Sequence, residues 1–163
     1  NDLGEGERHR IEAFDVAHVL GESAVGVMTV VQNSRIQPSE YRQFKLRAKH
    51  NGNDLTALEE ILRRRFAHPE WPFPELVVVD GGEVHMHLAE KILTELAVGI
   101  PVLSVVKDER HKPRAILGEE QLFSKLSDAD SKNLQKTILL ANGEAHRFAL
   151  AYHRRVRGKI SFK

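Results

Sequence analysis

Alternating or β-branched apolar residues mark three segments near the start of the chain, at residues 11–18, 24–32 and 40–46. Such patterns are typical of strands with a buried face. The connections, residues 19–23 and 33–39, contain the turn formers Gly, Asn, Ser and Pro. The pattern therefore predicts an antiparallel meander of three strands.

A helical period of apolar residues follows over residues 54–66, with Asp54 in the position of an N-cap and His68, Pro69 and Pro72 after the last turn. Residues 76–79 then form a continuous apolar run between Pro74 and a Gly-Gly pair, which is typical of a strand buried on both faces. This strand is expected to lie centrally and parallel to the first.

Two further helices are predicted, separated by a buried strand. The first covers residues 84–96 and ends before Gly99, and the strand covers residues 102–106. Residues 107–118 are polar and predict a mobile loop or a short hairpin. The last helix is predicted over residues 129–157, with Ser127 or Asp128 as its cap and Gly158 as its terminator.

The order βββαβαβα predicts an α/β fold with a mixed five-stranded sheet, an antiparallel meander joined to parallel strands, flanked by helices. This order is compatible with the RNase H class. We expect a lead-in at residues 1–9, one domain over residues 10–160 and a tail at residues 161–163. Because the chain begins with Asn1 rather than Met, we also expect it to be a domain excised from a longer protein.

The amino-acid composition excludes some kinds of functional site but adds little to the prediction of the fold. The 163 residues are 41% hydrophobic, which suffices for a core, and contain no cysteine. The lack of cysteine excludes disulfides and thiolate metal sites, and it fits a reducing compartment such as the cytoplasm. No apolar run is long enough to cross a membrane. The net charge of +1 neither favours nor opposes nucleic acid.

Two carboxylates stand at positions where an apolar strand has no structural need for them. Asp15 interrupts the first strand and Asp80 ends the buried strand. Parallel neighbouring strands would bring both to one end of the sheet, where α/β sheets commonly bind ligands. Close carboxylates with an added imidazole, for which His146 on the last helix is the candidate, suit Mg²⁺ or Mn²⁺ and phosphodiester cleavage. The alternatives are a turn or cap role for Asp80 and an ordinary core or surface role for His146.

Cations near these positions are candidates for contacts with DNA phosphates. Lys107, Arg110 and Lys112 follow a buried strand directly, and Arg147 and Arg154 belong to a basic segment with no acid after residue 144. Phosphate contacts position a nucleic acid without reading its sequence. The alternative is a solvated charged loop and a basic helix end.

Four motifs in one order carry a family resemblance: RIEAFDVAH (residues 10–18), VDGG (79–82), KDERHKP (107–113) and EAHRFA (144–149), the last followed by YHR (152–154). With these motifs the chain resembles the C-terminal endonuclease domain of UvrC, the incision subunit of bacterial nucleotide excision repair. The resemblance is collinear from about residue 10 to about residue 159.

The resemblance implies an RNase H-like fold that cuts damaged double-stranded DNA on the 5′ side of a lesion with a divalent cation. Asp15, Asp80 and His146 match the family's catalytic and metal-binding positions, and Asp54 matches a further acid. A UvrB-like protein is the implied partner, through other parts of a full-length chain. The family's Lys-Gly-Gln-Leu after the Gly-Gly pair is replaced at residues 83–86, and its Arg-Asp at 142–143 is Asn-Gly here. A catalytically weak or inactive nucleic-acid-binding module is therefore the alternative function.

Overall fold

The computed structural model describes residues 9–18, 24–47 and 53–161, with residues 155–161 described by their backbone alone. Its strands are β1 (Arg10–Ala17), β2 (Val25–Gln32), β3 (Arg35–Ile36), β4 (Arg42–Lys45), β5 (Leu76–Asp80), β6 (Val102–Lys107) and β7 (Pro113–Leu117). Its helices are α1 (Asp54–Arg65), α2 (Glu83–Glu95), α3 (Glu119–Phe123) and α4 (Asp128–Ser161). None of the helices in these ranges is long and apolar enough to cross a membrane.

The described strands form one mixed sheet in the order β3-β2-β1-β5-β6-β7, and β4 pairs with the other part of β2's outer edge. Strands β1 and β2 are antiparallel, whereas β1, β5 and β6 run parallel to one another. The antiparallel meander, the parallel centre and the flanking helices together form an RNase H-like α/β fold, as predicted.

Alternation along the strands divides the core between the two faces of the sheet. Phe14 of β1 and Val79 of β5 pack with α1 and α2 on one face. On the other face Ala13 of β1 and Val78 of β5 pack against Ala141 and other residues of α4. Because successive side chains of a strand point to opposite faces, Asp15 and Asp80 both belong to the α4 face.

The sheet has seven strands in the described chain rather than the five predicted. Strand β3 is only two residues long and follows a tight turn in which Asn33 and Ser34 have φ of 53° and 66°. Strand β7 starts with Pro113 and is largely exposed, as an edge strand tolerates. Residues 107–118 thus form the short hairpin that was one of the two predicted alternatives for them.

Two predicted helix boundaries also differ from the structure. Helix α1 is capped by the Asn53 side chain, which accepts the N–H groups of Leu55 and Thr56, so Asp54 is the first helical residue instead of the cap. Helix α4 continues through Gly158 to Ser161, because a glycine weakens a helix by only about 1 kcal/mol and does not have to end it. The predicted connection at residues 19–23 lies outside the described residues.

A buried charge network on the α1 face was not predicted. Glu12 of β1 and Arg65 of α1 are both fully buried, and Arg65 donates two hydrogen bonds to the two Glu12 carboxylate oxygens, at 2.6 and 2.8 Å. Arg10 donates a third, at 2.9 Å, and also pairs with Glu40. Arg65 additionally donates to the Pro72 carbonyl at 2.7 Å, so the network fixes the segment between α1 and β5.

Candidate active site

Parallel pairing of β1 and β5 places two carboxylates side by side at the ends of these strands. Phe14 lies opposite Val79 in the register, so Asp15 and Asp80 occupy the next position on each strand. Both face α4. The Asp15 carboxylate accepts the Val16 N–H at 2.8 Å and its side chain is 15% exposed. The two carboxylates therefore occupy neighbouring positions on one face of the sheet.

Helix α4 brings the predicted imidazole to the same place. The His146 Nδ1 atom lies 3.4 Å from the Asp15 Oδ2 atom, and 39% of the His146 side chain is exposed. Ala145 on one side of it is completely buried against the sheet, which fixes the face of the helix that carries His146. The histidine is thus both anchored by its neighbour and open to a ligand.

Asp80 has two partners, each from a different element. The Lys107 ammonium at the end of β6 lies 2.5 Å from Asp80 Oδ1, and the Asn142 side-chain amide of α4 donates to the same oxygen at 3.2 Å. The side chain of Lys107 is only 14% exposed. Lys107 is therefore a counter-charge within the cluster formed by Asp15, Asp80 and His146. The phosphate contact expected for Lys107 stays a prediction.

A second contact set anchors α4 next to His146. The Tyr41 hydroxyl donates to a Glu144 carboxylate oxygen at 2.7 Å, and Arg147 donates two hydrogen bonds to the same carboxylate, at 2.8 and 2.9 Å. The Arg147 contacts, followed by that of Tyr41, lower the pKa of Glu144 against the opposing effect of its partial burial. Burial and the adjacent Glu144 carboxylate raise the pKa of Tyr41, so the hydroxyl remains a donor.

The backbone after Asp80 is shaped by close contacts that only glycine permits. Gly81 has φ of +138°, and a Cβ atom on it would lie 2.5 Å from the His85 ring. Its N–H donates to the Val105 carbonyl at 3.0 Å, and its own carbonyl accepts the Ser104 hydroxyl at 2.5 Å. These bonds to β6 hold the strand end, and with it the Asp80 carboxylate.

For the other residues predicted for the site, no hydrogen bond or ion pair with Asp15, Asp80 or His146 is seen in the described chain. Asp54 contacts the His18 Nε2 atom at 2.5 Å and, within the described chain, forms no hydrogen bond with Asp15, Asp80 or His146. Arg110 and Lys112 are exposed in the β6–β7 turn, and Arg154 is exposed on α4. The side chains of the basic residues from position 155 onward are outside the described part.

A cavity of about 470 Å³ lies away from these carboxylates. Its lining includes Ile11 and Leu76 at the starts of β1 and β5, together with Leu122, Leu134 and several polar residues. Asp15 and Asp80 lie at or near the opposite ends of the same two strands. The candidate active site is accessible to solvent chiefly through His146 and Asp80, whose side chains are 39% and 29% exposed.

The donor chemistry of the cluster fits a divalent cation. Two neighbouring carboxylates carry two negative charges, and Lys107 offsets one of them. A hard cation with oxygen and imidazole ligands would balance the rest. In the described ranges, however, no three His, Asp or Glu side chains are already gathered as a metal-binding group. The Lys107 contact instead occupies part of the Asp80 carboxylate.

Sequence reasoning missed two polar residues that the structure brings to the site. Asn142 is 2% exposed and precedes His146 by four positions, so both share one face of α4. That spacing was a signal that could have identified it. His111 lies with its ring centroid 6.4 Å from that of His146 and nearly parallel to it, at 17°. Spacing could not identify His111, because it lies in a turn; its only signal was its place in the family motif at residues 107–113.

Known proteins are similar to this chain along most of its length. The family model described as "UvrC RNAse H endonuclease domain" matches residues 3–150. UvrABC system protein C of Clostridium botulinum (strain 657 / Type Ba4) is 36% identical over 94% of this chain and 27% of its own length. The corresponding protein of Clostridium tetani is 37% identical over 95% and 27%. The chain thus spans about a quarter of the length of these relatives.

Solved structures show more distant likenesses. Endonuclease V of Ciona intestinalis, in complex with DNA containing an inosine followed by a ribo-adenosine, has a TM-score of 0.43 at 17% identity, over 63% of this chain and 48% of that one. Human ENDOV has a TM-score of 0.39 at 21% identity, over 66% of this chain and 49% of that one.

Proposed function

Because the chain belongs to the family of UvrC RNase H endonuclease domains, we propose that it makes the 5′ incision in damaged double-stranded DNA during nucleotide excision repair. The reaction is hydrolysis of a phosphodiester bond. Asp15, Asp80 and His146 are the proposed catalytic residues, and they are also the proposed ligands of Mg²⁺ or Mn²⁺. The proposed catalytic domain covers residues 10–160, between a lead-in and a short tail.

One observation carries this proposal. The parallel register of β1 and β5 puts Asp15 and Asp80 at adjacent positions on one face of the sheet, and α4 brings His146 within 3.4 Å of Asp15 on that face. Three elements that are distant in the sequence thus place three polar side chains together. A purely structural carboxylate would be saturated with donors, as Glu12 is on the opposite face, whereas the described partners of Asp15 are the Val16 N–H and His146 at 3.4 Å.

Each residue has a distinct task. Asp15 and Asp80 supply the charged oxygens for the cation, which when bound provides Lewis acidity toward water and phosphate oxygen. Asn142 and Lys107 hold the Asp80 carboxylate in its orientation. His146, whose Nδ1 atom lies 3.4 Å from Asp15, is proposed either as the third ligand or as the acid/base group that transfers a proton to or from a reacting oxygen.

DNA contact is assigned to cations around the cluster. Lys107, Arg110, Lys112, Arg147 and Arg154 are the proposed phosphate-binding residues, with Lys107 acting after it leaves Asp80. Asp54 is proposed as an additional acid, because its exposed carboxylate adjoins His18 at the end of β1. The proposed partner is a UvrB-like protein that engages other parts of a longer chain, and the proposed location is the cytoplasm.

The test is strand cleavage by Asp15→Asn, which keeps the shape of the side chain and removes its charge. A duplex with one lesion and a label on the damaged strand is incubated with Mg²⁺ or Mn²⁺, and the product is mapped. The full-length protein with its UvrB-like partner is the enzyme tested. We expect cleavage on the 5′ side to fall at least a thousandfold, roughly the scale on which catalytic charges act.

Asp130→Asn is the matched control, since Asp130 is exposed on the first turn of α4. It should cleave like the unaltered protein. Retention of 5′ cleavage by Asp15→Asn would contradict the catalytic assignment. DNA binding without cleavage by the unaltered protein, in either metal, would favour the alternative of an inactive nucleic-acid-binding module.

A further inference from the structure

The turn between β6 and β7 is closed by one carboxylate. Asp108 Oδ1 accepts the backbone N–H groups of Arg110 and Lys112, at 2.8 and 2.9 Å. The Asp108 N–H donates to the Lys112 carbonyl at 2.8 Å, and the His111 N–H donates to the Asp108 carbonyl at 3.0 Å. Four hydrogen bonds therefore hold this five-residue turn in one conformation.

Within the turn, His111 adopts a backbone conformation that most side chains avoid. Its φ is +62°, in the left-handed region where glycine or asparagine is more usual. The Asp108 contacts on either side impose this conformation, which directs the exposed His111 ring toward His146. The two ring centroids are 6.4 Å apart and the ring planes differ by 17°.

The same turn starts at the other carboxylate of the cluster. Lys107, the residue before Asp108, contacts Asp80 at 2.5 Å, whereas His111 lies beside His146, which contacts Asp15. The turn thus extends from Asp80 to His146. A DNA strand whose phosphate reaches Asp15 and His146 would pass the His111 imidazole.

We propose that His111 is a DNA-binding residue of this site, donating an imidazole N–H to a non-bridging phosphate oxygen next to the bond that is cut. This inference rests on the proposed function and adds a contact to it. Asp108 acts through His111 as a positioning residue. Imidazole is suited to the task because its ring offers an N–H donor even when neutral.

Binding of lesion-containing duplex to the 163-residue chain tests the proposal. All proteins carry Asp15→Asn so that the DNA stays intact, and fluorescence anisotropy is measured at one fixed salt concentration with Mg²⁺. His111→Gly removes the ring while accepting a positive φ, so the turn is retained. We expect its affinity for DNA to fall about tenfold, the effect of losing one hydrogen bond to a charged group.

Asp108→Ala releases the turn and should weaken binding by a similar factor. The double variant should be no weaker than His111→Gly alone, because two changes that act through one contact are not additive. His87→Ala, at an exposed histidine of α2, is the matched control and should bind normally. Thermal unfolding of each variant separates loss of contact from loss of fold.

Unchanged affinity of a folded His111→Gly chain would overturn the proposal and leave the proposed function intact. Additive losses in the double variant would also overturn it, since Asp108 would then act independently of His111. Absence of DNA binding by the parent chain would also overturn the inference, whereas the proposed function is judged by the cleavage experiment with the full-length protein.

Discussion

Strand β1 carries two carboxylates three residues apart that have opposite surroundings. Glu12 faces α1, is fully buried and accepts three hydrogen bonds from Arg65 and Arg10. Asp15 faces α4, is partly exposed, and has the Val16 N–H and a His146 nitrogen at 3.4 Å as its described partners. The first carboxylate is saturated with donors, whereas the second retains capacity for another ligand.

This difference separates a structural charge from a functional one. A buried carboxylate with incomplete pairing is costly, so a fold that only needs stability saturates it or replaces it. At this end of the sheet Asp15 is under-paired, and the described partners of Asp80 both contact its Oδ1 atom. Three predictions test the contrast by measuring what each charge contributes to stability.

The largest effect is expected for Arg65→Met, which leaves Glu12 buried with only Arg10 as a partner. The free energy of unfolding in urea should fall by about 3–5 kcal/mol. Arg63→Met is the matched control, because the exposed ion pairs of Arg63 should contribute about 1 kcal/mol or less. Adding Glu12→Leu to Arg65→Met should restore most of the loss. If Arg63→Met and Arg65→Met lower the free energy of unfolding by equally small amounts, Glu12 is not a structural charge.

An intermediate effect is expected for Lys107→Met, since Lys107 and Asp80 are only partly buried. The change leaves Asp80 with the Asn142 amide and should lower the free energy of unfolding by about 1–2 kcal/mol. In the Asp80→Asn background the same change should cost clearly less. Equal costs in both backgrounds, again by urea unfolding, would show that Lys107 does not act as the counter-charge of Asp80.

The smallest effect is expected for Asp15→Asn. The asparagine carbonyl can still accept the Val16 N–H, and the repulsion from Asp80 disappears. The free energy of unfolding should therefore change by no more than about 0.5 kcal/mol, in either direction. A loss comparable to that of Arg65→Met would mean that Asp15 is itself a structural charge. In that case the cleavage experiment with Asp15→Asn could not be interpreted as a test of catalysis.

Most of the fold was predictable because the strands and helices differ in hydrophobic period. The continuous run that forms β5 indicated a central strand, and its pairing with β1 followed from the element order. Strand β3 was not predicted, because two residues carry no period. Strand β7 was predicted only within the hairpin alternative for residues 107–118, because Pro113 at a strand start resembles a loop. The Asn53 cap was missed because Asp54, equally suited to capping, stands next to it.

The site was predictable only in part, for a physical reason. Asp15 and Asp80 interrupt apolar strands and are therefore conspicuous, whereas His146 is one of nine histidines and was selected by family resemblance. The pattern of hydrophobic and polar residues does not indicate contacts that depend on three-dimensional placement. The pairing of Glu12 with Arg65 joins residues 53 positions apart, and the approach of His111 to His146 depends on the conformation of one turn.

The position of α4 in the chain has a consequence for how the molecule is made. The bond from Asn142 to Asp80 spans 62 residues and that from Tyr41 to Glu144 spans 103; such long-range contacts slow folding. Because synthesis starts at the amino terminus, both carboxylates leave the ribosome before the histidine does. The growing polypeptide therefore lacks the full set of cutting residues until its last long helix has emerged and docked.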